Sequence, residues 1–178
     1  MTISTVLIII LGTLFYFVLP FIIWACFKNE KIKNILTICF FFLYLVVLFI
    51  GVFGKLDIND NVVSFSFDFS GSWCAKPINF SLASISTFDL VINIVMLIPV
   101  GMFVSYFMKN KNLFLKIISL LGVGLFVGLF IETCQFILPV PRSVQLSDAL
   151  LNTVSVFVGG LIAWLYLWII KKFKGNKQ

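Results

Sequence analysis

Apolar runs about as long as a bilayer is thick constrain this chain more than any other feature. A helix rises about 1.5 Å per residue and the hydrocarbon core is about 30 Å thick, so about 20 apolar residues suffice to cross it. Five runs meet that length: Ile3 to Phe27, Ile35 to Gly54, Phe88 to Met108, Ile117 to Leu138 and Ala149 to Ile170. They predict an all-α membrane protein: a bundle of five transmembrane helices in a single domain over residues 1–178, with one extracytoplasmic loop at about 55–87. The 61% hydrophobic and 11% charged composition excludes a soluble domain, for which about 45–50% apolar and about 25% charged are usual.

The charges punctuate the apolar runs, and their distribution orients the bundle. Lys28, Lys31 and Lys33, then Lys109, Lys111 and Lys116, then Lys171, Lys172, Lys174 and Lys177 fall on one side, leaving Lys55, Lys76 and Arg142 on the other. The positive-inside rule then makes the C-terminus cytoplasmic, and five spans put the N-terminus outside. No basic residue precedes the first run, so it reads as a retained span and not a cleaved signal. The net charge of +6 is thus a topological signal and a contact with anionic lipid, with no nucleic-acid partner implied. Histidine is absent altogether, which removes a Ser-His or Cys-His pair and the commonest nitrogen ligand of zinc; neither a metal nor a cofactor is expected. The cysteines Cys26, Cys39, Cys74 and Cys134 have no CxxC spacing and imply no disulfide framework.

Within the long loop, the polar stretch Lys55 to Asn61 predicts a turn. From Val63 to Ser70, Phe65, Phe67 and Phe69 alternate with Ser64, Ser66, Asp68 and Ser70, a period of two that predicts a strand or hairpin. Its aromatic face has no soluble core to cover, so it rests on the helix ends or dips into the membrane interface, as Trp73 just beyond it suggests.

Polar residues inside the apolar runs are costly, and they gather at the outer ends of three spans. The third carries Asp89 and Asn93, the fourth Glu132 and Gln135, the fifth Asp148, Asn152 and Ser155. At about 100° per residue, Asp148, Asn152, Ser155 and Gly159 make one stripe, and Gly124 and Gly128 lead directly into Glu132 and Gln135. The glycines and Ser155 read as close helix packing. Asp89 and Asp148 fit first-turn caps as well as they fit a site, with Ser86 to Asp89 resembling a capping box. Glu132 and Asn152 stand at no helix start and are the leading functional candidates. The short connection from Pro139 to Ser147 makes the fourth and fifth spans antiparallel neighbours and holds Arg142 over the outer end, where it pairs with an acid or binds an anion. Pro99 frees the Val95 carbonyl within the third span.

Asn93-Ile94-Val95-Met96-Leu97-Ile98-Pro99-Val100-Gly101, then Glu132-Thr133-Cys134-Gln135, Arg142, Asp148 and Asn152 before the glycines of the last run together resemble the VanZ-like family of bacterial membrane proteins. The likeness is closest over residues 77 to 165. Leu97 stands where the family has Phe, and Ser155 where it has Gly. The resemblance implies a plasma-membrane protein of the cell envelope, in a family named for a member that lowers susceptibility to teicoplanin-type glycopeptides; it implies no catalytic assignment.

Three functions are open at this point. In the first, Asn93, Glu132, Gln135, Arg142, Asp148 and Asn152 line an outer-leaflet pocket for a membrane lipid, a lipid-linked envelope molecule or a glycopeptide antibiotic. In the second, an intramembrane hydrolase or transferase uses Glu132 with Asp148 or Asp89 as acid and base. The third is a small proton-linked transporter with Glu132 as the protonation site.

Overall fold

The computed structural model describes residues 18–59, 62–67, 69–71, 73–74, 78–79, 87–139 and 144–175. Helix α1 occupies residues 18–26 at the start of this part. It is followed by α2 (Glu30–Phe53), strands β1 (Gly54–Asn59), β2 (Val62–Phe67) and β3 (Ile78–Asn79), then α3 (Thr87–Phe107), α4 (Leu113–Ile137), β4 (Val144–Gln145) and α5 (Leu146–Gly175). Asparagines start two of the helices. The Asn29 side chain accepts the Lys31 N–H (2.9 Å) ahead of α2, and Asn112 accepts the Leu115 N–H (2.9 Å) ahead of α4, each satisfying a backbone donor that a first helical turn leaves open.

The bundle is helical, but three of its helices, not five, are long and apolar enough to cross a membrane among the described residues. These are Glu30–Ile50, Leu113–Ile137 and Leu146–Phe173. The first expected span is described only from residue 18, and its helix over 18–26 rises roughly 13 Å. In the third, α3 (Thr87–Phe107), the side chains are described only from Asn93, and the apolar stretch Asn93–Phe107 within that part is roughly 22 Å of helix. The apolar side chains of α3 serve the protein interior: Leu97, Ile98, Val100, Met102, Phe103 and Tyr106 are all buried. A run that faces neighbouring helices is as apolar as one that faces lipid, so composition alone overcounts spans. The placement of the N-terminus outside rests on the parity of the span count, odd for three as for five, and on the lysine distribution, not on the fold itself.

Helix α5 runs parallel to α3 and antiparallel to α4, packed tightly on both. A Cβ added at Gly101 would run into the Val156 carbonyl oxygen, and one at Gly159 into the Ile98 carbonyl oxygen. On the other side, a Cβ at Gly124 would lie 2.8 Å from Thr153 Cα and one at Gly128 2.9 Å from the Ala149 carbonyl oxygen. The glycines therefore set both helix contacts, as small residues do where backbones must approach. Helix α3 continues through Pro99. The carbonyls to either side of Val95 accept side-chain hydroxyls from neighbouring helices, Ile94 from Ser155 and Met96 from Tyr44.

One end of the bundle is basic and internally paired. Lys33 and Lys109 both donate to the Glu30 carboxylate, Lys109 at 2.9 Å, so the start of α2 and the chain just beyond α3 meet there. Just inside it, Trp24 stacks on Tyr106 with ring centroids 4.8 Å apart. Trp24 Nε1 donates to Thr37 (3.2 Å) and the Tyr106 hydroxyl to Asn34 (2.7 Å).

At the opposite end β1 and β2 form an antiparallel hairpin, with Leu56 opposite Phe65 and Ile58 opposite Val63. The expected turn at Lys55 to Asn61 is corrected: residues 54–59 are the first strand of the hairpin, and its connection is confined to residues 60–61, which lie outside the described part. The expected strand from Val63 to Ser70 is β2, which ends at Phe67. Beyond the hairpin the loop is tied to the α4–α5 connection twice. The Gly71 N–H donates to the Pro139 carbonyl (2.7 Å), and β3 pairs with β4 in parallel, Asn79 opposite Gln145.

Candidate functional site

The antiparallel register of α4 and α5 determines what faces Glu132. Gly124 lies on Thr153 and Gly128 on Ala149, four residues up one chain matching four down the other. One turn further Glu132 falls opposite Gln145, whose backbone N–H donates to Glu132 Oε2 at 2.8 Å. Glu132 is only 6% exposed. Its carboxylate meets the first turn of α5, where open backbone N–H groups and the positive end of the helix dipole favour negative charge. Glu132 thus does stand at a helix start, that of the neighbouring helix. It holds the β4 segment, which in turn pairs with β3 of the long loop.

Around this contact the structure gathers further polar groups. Gln135 is buried on the same face of α4 as the two glycines. Asp148 lies in the first turn of α5, half-buried. Asn152 and Ser147 are each 2% exposed, and Asn152 Oδ1 and Ser147 Oγ have no hydrogen-bond partner among the described residues. Leaving such an atom buried and unmet costs about 1–3 kcal/mol, so each such position calls for an explanation. The stripe of Asp148, Asn152, Ser155 and Gly159 turns toward α3, since the Ser155 hydroxyl reaches Ile94 and Gly159 abuts Ile98. Asn93 precedes Ile94 and is half-buried, which puts it at the level of Asn152 and Ser155.

Asp89 lies in the first turn of α3, and its side chain is outside the description; Arg142 falls in residues 140–143, also outside it. In the sequence Ser147 and Gln145 read only as residues of the short connection. Gln145 contributes its backbone, for which no side-chain signal exists. Ser147 immediately precedes Asp148 at a helix start, a position at which a hydroxyl ordinarily reads as a cap.

The Ser147 hydroxyl is not hydrogen-bonded to any described carboxylate, so the described residues assemble no serine–acid pair at the start of α5. What they do present is a carboxylate committed to the backbone at the start of α5 and, along the first two turns of that helix, buried oxygens able to accept hydrogen bonds.

Fold and site together define a multi-pass helical membrane protein with a polar cluster buried at the end opposite the Glu30, Lys33 and Lys109 contact. The chain belongs to the VanZ/LLP1 family, whose model matches residues 5–169, and is accordingly a protein of the bacterial envelope. Neither curated proteins nor solved structures gave a match.

Proposed function

We propose that the protein binds the polar head of a lipid-linked envelope molecule, or the sugar and lipid portion of a teicoplanin-type glycopeptide, at the end of the bundle that carries Glu132 and Asn152. The observation that carries this reading is the pair of buried oxygens on Asn152 and Ser147 that have no hydrogen-bond partner among the described residues, along the first two turns of the helix whose start Glu132 holds through Gln145. A ligand donating hydroxyl or amide N–H groups would satisfy them. Asn93, Gln135 and Asp148 supply further polar groups around the ligand, and Arg142 an anion contact from the connection above. The lysine distribution supports a cytoplasmic lysine end and C-terminus, with the polar end in the outer leaflet, where cell-wall precursors and glycopeptides meet the membrane.

The consequence in cells is lowered susceptibility to teicoplanin-type antibiotics. Expression in a susceptible Gram-positive host tests it: the parent raises the inhibitory concentration of teicoplanin, and Asn152→Leu abolishes the rise at equal membrane abundance. Equal protection by parent and Asn152→Leu would overturn the reading.

A further inference from the structure

The hairpin at the polar end is two-faced. Strand alternation and the β1–β2 register put Gly54, Leu56 and Ile58 on one face with Val63, Phe65 and Phe67, and Lys55, Asp57 and Asn59 on the other with Val62, Ser64 and Ser66. An isolated two-stranded hairpin is marginal at best in water, and this one needs its apolar face covered. Among the helices, β1 makes its substantial contact with α2, which leads straight into it.

The aromatic rings show where that surface leads. On α2, Phe42, Val46 and Phe49 form an exposed row along a helix that can cross the membrane. The Phe49 ring lies 6.0 Å from that of Phe67, and Phe67 stacks on Phe69 at the same spacing. Phe69 is 54% and Trp73 66% exposed. The exposed apolar surface of α2 thus continues ring to ring through Phe67 to Phe69, and four residues further the chain exposes a tryptophan, the residue most at home where acyl chains give way to headgroups.

We infer that the β1–β2 hairpin with Phe69 and Trp73 is a membrane-interface element: its aromatic face lies among the headgroups and upper acyl chains beside α2, and its Ser64 and Ser66 face looks to water. The surface it docks on is lipid. Because β3 follows the hairpin and pairs with β4 at Glu132, lipid contact at the hairpin and the polar cluster lie on one continuous connection.

Spin labels on the full-length protein in phospholipid nanodiscs test this. In a background with the native cysteines replaced, a label at Phe69→Cys collides more with oxygen than with a water-soluble nickel chelate, and one at Ser66→Cys shows the reverse order. In the otherwise unaltered chain, the emission lost in Trp73→Phe is blue-shifted and is quenched by lipids brominated near the headgroup. Equal nickel access at 69 and 66, or a water-like, unquenched Trp73 signal, would overturn the inference. So would a label at 69 shielded from both oxygen and nickel, which would mean that protein covers the face.

Discussion

Glu132 combines two readings that its position in an apolar run left apart. Its carboxylate caps the start of α5 through Gln145, so part of its role is to hold the α4–α5 connection in place. Glu132→Ala leaves that N–H without its acceptor and should destabilise the protein by about 1–3 kcal/mol. Glu132→Gln keeps an acceptor oxygen and should lose less; thermal unfolding in detergent micelles checks the order. Asn152 is the converse case. Its Oδ1 is buried and has no partner among the described residues, so Asn152→Leu removes that acceptor but puts a larger side chain in a fully buried position; it should cost at most about 1–3 kcal/mol of overpacking while removing ligand binding. A substitution that spares the fold and costs the function marks a residue kept for a ligand.

At the scale of elements, the glycines make the sharpest contrast. Gly101 and Gly159 face carbonyl oxygens of the helix they touch, whereas a Cβ at Gly122 would meet nothing within 4 Å. Gly101→Ala and Gly159→Ala should therefore force α3 and α5 apart and cost at least about 1–3 kcal/mol. Gly122→Ala, in the same kind of helix, should be silent or gain about 0.5–1 kcal/mol from helix propensity. Retention of a monodisperse folded species on size exclusion after heating separates the two groups. Much of this element level was legible in the sequence: Gly124 and Gly128 pointed along one face of α4 straight to Glu132, and a short connection required α4 and α5 to be antiparallel. The β1 strand was not legible, because Lys55, Asp57 and Asn59 read as turn residues; in the hairpin they are alternate positions of a strand, with Leu56 and Ile58 between them opposite Phe65 and Val63 of β2. Nor was the capping role of Glu132, since its partner is a backbone N–H on another element.

For the whole molecule, the number of spans was the least legible property, for the reason α3 illustrates: hydropathy records that a residue avoids water, not whether helix or lipid replaces the water. The lysine end is better determined, since Glu30 draws Lys33 and Lys109 together there. Two exposed native cysteines report on orientation, Cys26 next to the lysine end and Cys74 in the loop at the opposite end. A membrane-impermeant maleimide applied to intact cells should label Cys74 and reach Cys26 only after permeabilisation. Cys74→Ser should abolish the labelling of intact cells, and labelling of Cys26 without permeabilisation would reverse the orientation proposed for the polar end.

The central claim, that the buried polar groups at this end serve a ligand, is tested most directly by binding of a lipid-linked disaccharide precursor and of teicoplanin to the protein in nanodiscs, with parent and Asn152→Leu compared. The account predicts saturable binding of at least one of them by the parent and a loss of about tenfold or more in Asn152→Leu, as removal of a buried hydrogen bond worth about 1.5 kcal/mol entails, with the variant still folded in the nanodisc. Equal affinity of the two proteins, or no saturable binding of either ligand by the parent, would contradict it.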